Sequence, residues 1–187
     1  MRSKIQPNRK RKPFKLSAPA YVGGALFAII LLVISFNIDF NPVGMSVDVM
    51  LDRSHVPEGT DPGPFNTNPP SSGIHYADHF SSEFFDENTY EFPEGYLIHN
   101  LEHGYAIFWY NCELLSADDC SLLKGEILGV MEKANMYKVI AYPWPKIDVP
   151  VVITSWGRML SMEKFDPELA LTYVKKYREK SPEPQGD

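Results

Sequence analysis

The sequence predicts an α+β protein: an N-terminal single transmembrane helix, then a small βαββα-type outer domain with a long irregular N-terminal arm. Three observations carry this reading. A cationic N-terminus runs into nineteen apolar residues broken only by one serine. Farther on, strand-like apolar runs alternate with two segments of helical periodicity. Between them lies a stretch rich in proline, glycine and aromatic residues that holds every histidine of the chain.

Residues 1–17 carry seven cationic side chains and no acid, and are expected to form a basic cytoplasmic tail. Residues 18–36 are apolar apart from Ser35. Nineteen helical residues rise about 28 Å, close to the ~30 Å hydrocarbon core of a bilayer. A cleavable signal would have a shorter apolar region and an A-x-A-like site. The exit NIDFNPVG has neither that site nor a lipid-acceptor cysteine, so an uncleaved anchor is expected. Lysine and arginine flank it only on the N-terminal side, which predicts a cytoplasmic N-terminus and an outer main domain in a cell membrane.

The part beyond the anchor holds eleven basic and twenty-four acidic residues, a net charge of −13. Such a surface repels phosphate backbones, which excludes nucleic acid as a partner. The lipid bilayer is the expected partner of the helix, and a membrane protein complex that of the outer domain.

Residues 37–54 read as a linker, 55–180 as the extracytoplasmic domain and 181–187 as a flexible tail. From Asn41 to Gly73 prolines and glycines recur too often for a helix. His55, Phe65, His75 and Tyr76 interrupt this composition, which suits an extended loop wrapped over a domain better than a free linker. HFSSEFFDENTYEFPEG reads as a short helical turn and a loop. Its Phe84, Phe85, Tyr90, Phe92 and Tyr96 are candidate docking residues, although aromatics this dense usually belong to a core.

The regular elements follow. YAIFWY, residues 105–110, is a strand by its aromatic and β-branched content. Leu123, Ile127, Val130, Met131 and Ala134 recur at helical spacing, with Ser116 or Asp118 as the cap. YKVIAYP and VPVVITSWG read as the second and third strands. Asp166 and Pro167 open the last helix, whose apolar stripe is Ala170, Val174 and Tyr177. A thioredoxin-like arrangement fits this order of elements, as an analogy of topology only. Cys112 and Cys120 lie outside the membrane, where disulfides persist, and are expected to pair. Their C-x₇-C spacing lacks the mark of a dithiol redox centre.

All five histidines, His55, His75, His79, His99 and His103, fall within residues 55–103. Two pairs, His75/His79 and His99/His103, have i, i+4 spacing, which sets both imidazoles on one face of a helix. Clustered imidazoles in an oxidising compartment suit zinc or copper. His75, His99 and His103 are the expected ligands, with His55 a fourth and Glu102 in or next to the coordination sphere. PPSSG before His75 offers serine hydroxyls as supporting partners.

His99, Glu102 and His103 also spell H-x-x-E-H, the signature of inverted zinc peptidases, in which the glutamate polarises water. Gly95 and Gly104 bracket the motif and Asn100 sits inside it, so one or two helical turns are expected rather than a long catalytic helix. Glu102 would be catalytic only in that case. The reading that leads is an accessory domain holding copper or zinc for a membrane complex. A structural subunit without metal is the second, and a zinc hydrolase the third.

NPPSSGIHY, EGYLIHNLEHGYAIFWY and VPVVITSWGRM together resemble an uncharacterised bacterial family, a domain of unknown function with PP-[ST]-SG-x-H and H-x-L-E-H-G motifs. The resemblance spans residues 55–159 and implies an outer-facing, membrane-anchored protein, with no activity attached. His79 falls outside that pattern.

Overall fold

The computed structural model describes residues 42–186 together with Phe27 and Ile29. The anchor expected over residues 18–36 otherwise lies outside the described residues. Among these, no helix is long and apolar enough to cross a membrane. Pro42–Asp187 forms one compact unit.

Five strands make one mixed sheet. They are β1 (Met45–Ser46), β2 (Ala106–Tyr110), β3 (Val139–Pro143), β4 (Val151–Ser155) and β5 (Arg158–Met162), in the order β1-β5-β4-β2-β3. β2 and β3 are parallel, with Phe108 opposite Ala141. That pairing needs a crossover, which α2 (Ala117–Lys133) supplies. β4 joins the other side of β2 antiparallel, and β5 then pairs with β4.

Both faces of the sheet are covered. Ala106, Phe108 and Tyr110 face Leu123, Ile127, Val130 and Met131 of α2 and Ala170, Tyr173 and Val174 of α3 (Pro167–Tyr177). Ile107 and Trp109 face the opposite way, with Ile140 and Tyr142, against Leu97 and Leu101 of α1 (Pro93–Glu102). Every residue of β2 is therefore buried. A strand covered on both sides reads as an unbroken apolar run rather than an alternation, which is why YAIFWY was legible. The caps are those expected: Ser116 accepts from the N–H of Asp119 at 3.1 Å, and Asp166 from those of Glu168 and Leu169 at 3.0 Å.

The domain differs from the βαββα expectation by two strands, the short β1 of the arm and β5, and by the helix α1 ahead of β2. Trp156 and Gly157 form a two-residue turn, Ser155 pairs with Arg158, and RMLSM returns as β5. Gly157 takes φ +64°, the left-handed conformation that tight hairpins need. α1 is also longer than expected. Its ten residues make nearly three turns. Gly95 lies within α1 rather than at its edge, because the Tyr76 ring packs where a Cβ would stand.

The arm is fastened to the domain at several points. β1 pairs with β5, Asn68 accepts from the Trp144 indole at 2.8 Å, and the segment at Phe84 bridges Ala141 on β3. The segment at Phe84 thereby covers part of the β3 edge, and the short β1 covers part of β5. The aromatics of this segment pack inward: Phe80, itself buried, lies 5.0 Å from Phe85 and 4.7 Å from Tyr96 between ring centroids. Of the five candidate docking residues Tyr90 alone is exposed. Cys112 and Cys120 are disulfide-bonded, with a Cα–Cα distance of 5.3 Å. The bridge ties a short 3₁₀ turn (Cys112–Leu114) to the first turn of α2.

Candidate metal centre

Helix α1 ends at the histidines. Gly104 takes φ +86°. Its N–H reaches Leu101 O at 3.0 Å, and that of Tyr105 reaches Asn100 O at 3.0 Å. This pair of bonds is a Schellman ending, and it turns the chain from His103 straight into β2. His99 and His103 lie one turn apart on α1, as the i, i+4 spacing requires.

The segment 75–80 runs along α1 and is clamped to it. Asn100, wholly buried, donates from Nδ2 to Phe80 O at 2.7 Å and accepts from the Phe80 N–H at 3.0 Å. The N–H of Tyr76 reaches Gly95 O at 3.0 Å. His75 and His79 are consequently not on a helix of their own; an extended strip carries both to the face of α1. His55 arrives by a third route, a parallel bridge to His75, with Val56 N–H on His75 O at 2.9 Å.

All five imidazoles converge. Ring centroids are 4.8 Å apart for His55 and His75, 5.3 Å for His55 and His99, 5.1 Å for His75 and His99, and 4.4 Å for His99 and His103. His79 lies 5.4 Å from both His99 and His103. Two groupings have donor atoms all within 4.8 Å of one another: an inner one of His55, His75 and His99, and an outer one of His79, His99 and His103. His79, left out of the ligand set expected from the sequence, thus belongs to the cluster.

The hydrogen bonds fix which nitrogens face inward. His75 Nδ1 lies 2.8 Å from Gly73 O, and His99 Nδ1 lies 2.8 Å from Tyr76 O. A carbonyl only accepts, so each Nδ1 carries the proton and each neutral ring keeps its lone pair on Nε2. That is the arrangement by which a backbone carbonyl orients a metal-binding imidazole. His99 Nε2 then meets His103 Nε2 at 3.0 Å. His75 Nε2 is fully buried and has no hydrogen-bond partner, although Glu102 Oε2 stands 3.0 Å away. The approach is short without being aligned as a hydrogen bond. Two lone-pair atoms so placed repel, and a proton or a metal ion between them removes the conflict.

Glu102 is buried, and Arg53 Nη1 holds its other oxygen at 2.9 Å. Burial, and then the neighbouring imidazoles His103, His75 and His79, push the His99 pKa from 6.5 down to about 4, against the opposing effect of the Tyr76 carbonyl. His99 is therefore neutral, and able to ligate, across the physiological range. The serines expected to support His75 are engaged elsewhere: Ser72 Oγ accepts from the Met50 N–H at 3.0 Å, and Ser71 meets Thr67. The Gly73 and Tyr76 carbonyls take that part, and no residue-type signal announces a carbonyl.

Residues 58–187 match a family described as a protein of unknown function, DUF3105. The chain belongs to that family. The match begins three residues beyond His55 and takes in the other four histidines, Glu102 and both cysteines. No curated protein and no solved structure matches the chain, and the thioredoxin-like order of elements stays a likeness of topology alone. DUF3105 carries no activity by description, so the histidine cluster has to be read on its own chemistry.

Proposed function

We propose that this DUF3105 chain is a membrane-anchored extracytoplasmic domain that binds copper or zinc through its clustered histidines, as an accessory factor of a membrane complex. The observation that carries the metal reading is the orientation of His75 and His99. Both are buried, both spend Nδ1 on a backbone carbonyl, and both turn Nε2 into a cluster of imidazoles. His75 Nε2 finds no hydrogen-bond partner there.

The donor set is nitrogen-rich, which favours zinc or copper over magnesium or calcium. Ligand nitrogens about 2.0–2.1 Å from a tetrahedral zinc stand about 3.4 Å apart. The groupings, within 4.8 Å, need a closure of about 1.4 Å at most, within the reach of side-chain rotation. His75 and His99 are the oriented ligands, His55 or His103 adds a third, and Glu102 either ligates beside His75 or holds its position through Arg53. Glu102 engages Arg53 and His75, whereas the outer grouping containing His99 and His103 is entirely imidazole. That arrangement does not favour the peptidase reading, in which the glutamate serves a water on the His99–His103 pair.

One observation favours the metal-free alternative, a structural subunit: His99 and His103 satisfy each other at 3.0 Å without an ion. The deciding experiment is the metal content of the full chain, purified without added metal or affinity tag, beside a His75→Ala/His99→Ala double variant. Copper or zinc near one equivalent in the wild type and none in the variant supports the reading. A wild-type chain that retains no metal and takes none from micromolar zinc or copper overturns it.

A further inference from the structure

The last residues of the chain are docked beside the outer histidines. The N–H of Glu183 reaches Glu102 O in the last turn of α1 at 3.1 Å. Lys138, buried to 6 % exposure, spreads its ammonium over three carbonyls: His103 O at 2.9 Å, Pro184 O at 2.8 Å and Gly186 O at 2.8 Å. Gly186 lies so close to His103 that a Cβ there would overlap the imidazole. Residues 183–186, expected to be frayed, are instead fastened by one lysine to the C-terminal end of α1. A cation at that end is favoured by the helix dipole.

This docking sets the Glu183 carboxylate over His103, with Oε2 4.0 Å from Nε2. The spacing is too long for a hydrogen bond and close to that of two ligand atoms on one ion, about 3.4 Å for tetrahedral zinc. The Glu183 side chain is 62 % exposed, so it can turn toward the ring without unpacking anything.

Resting on the metal reading above, we propose that Glu183 is the fourth ligand of an ion held by His79, His99 and His103. The docked C-terminal tail is then part of the metal site. Three imidazoles and one carboxylate complete a four-coordinate shell for zinc. The carboxylate also answers a charge requirement. Three neutral imidazoles leave the full charge of a dication in place, and the Lys138 ammonium sits at the same helix end. Glu183 offsets one unit of that charge. His99 has a single Nε2 to offer, since Nδ1 is held by Tyr76 O. Inner and outer groupings therefore share His99, and Glu183 serves the outer one as Glu102 serves the inner.

The test compares zinc affinity of the full chain with that of Glu183→Gln, by competition against a chromophoric chelator, together with the visible spectrum of the cobalt(II)-substituted forms. The docking bonds of residues 183–186 are made by backbone atoms and Lys138, so glutamine leaves them in place. Glu183→Gln is expected to weaken zinc binding tenfold or more and to change the cobalt(II) spectrum. Equal affinity and identical spectra overturn the proposal while leaving the metal reading standing. A wild-type chain that binds no zinc overturns the proposal, and one that also takes up no copper overturns the metal reading with it.

Discussion

Lowering the pH from 7 to 5 is expected to destabilise the metal-free chain by about 2 kcal/mol through His99 alone. In the fold its pKa is pushed from 6.5 to about 4, first by burial. The unfolded chain takes up this proton near pH 6.5, and the folded chain does not until about pH 4. Between those values the unfolded state binds more protons, so stability falls as pH falls. At pH 5 the unfolded imidazole is almost fully protonated and the folded one about a tenth protonated, which gives the ~2 kcal/mol; the loss approaches ~3 kcal/mol near pH 4. The assay is urea denaturation of chelator-treated full chain at both pH values, beside His99→Gln. The difference between wild type and variant isolates the contribution of His99. The midpoint of the variant should move less with pH. Saturating zinc at pH 7 should enlarge the wild-type difference, because an ion bound to the neutral ring adds about 2.7 kcal/mol at a hundredfold excess over its dissociation constant. Equal pH dependence in the two proteins would refute the argument that His99 is held neutral by its surroundings.

Replacing Cys112 and Cys120 by serine should cost about 2.6 kcal/mol, the loop entropy of a nine-residue closure, read as a lower denaturation midpoint; no change would mean that the 3₁₀ turn docks on α2 unaided. Gly95→Ala should cost about 1–3 kcal/mol by overpacking and also weaken zinc binding, since the displaced Tyr76 carries the carbonyl that orients His99. Zinc affinity unchanged in a measurably destabilised Gly95→Ala chain would uncouple that carbonyl from the site. Protease treatment of intact cells should remove the outer domain and leave a small N-terminal stub; a mature chain beginning after residue 37 would contradict the anchor.

What the sequence made legible was whatever depends on one element at a time. The stripe from Leu123 to Ala134 buries against one layer and shows it as helical periodicity, whereas the run from Tyr105 to Tyr110 is covered on both faces and shows it as an unbroken apolar run. β5 escaped notice because Arg158 and Ser161 interrupt its apolar content and its partner is a hairpin neighbour. Gly95 read as a breaker because the Tyr76 ring that needs the missing Cβ lies nineteen residues earlier. The histidines divide in the same way. His99 and His103 meet through helical spacing, which is local and was readable. His75 and His79 share that spacing without sharing a helix, so for them the same pattern misled. They reach the cluster because the buried side chain of Asn100 pairs with the backbone of Phe80, and His55 follows because its own backbone bridges His75.

This dependence bears on function. A site carried by one helix would keep its geometry if the arm were loosened. Here one imidazole pair belongs to α1, two more histidines to a strip clamped along it, the fifth to the arm, and Glu183 to the tail. Arg53 and Lys138 link those pieces to Glu102 and to the carbonyl of His103. An ion bound across the pieces would stabilise all of them together, whereas removing it would release the arm and the tail before the sheet. Hydrogen exchange with and without zinc separates these outcomes. Protection gained at residues 75–80 together with 183–186 for the outer grouping, or with 54–56 for the inner, and with β2 and β4 unchanged, is what a metal joining separate segments should produce. Uniform protection, or none, would refute it.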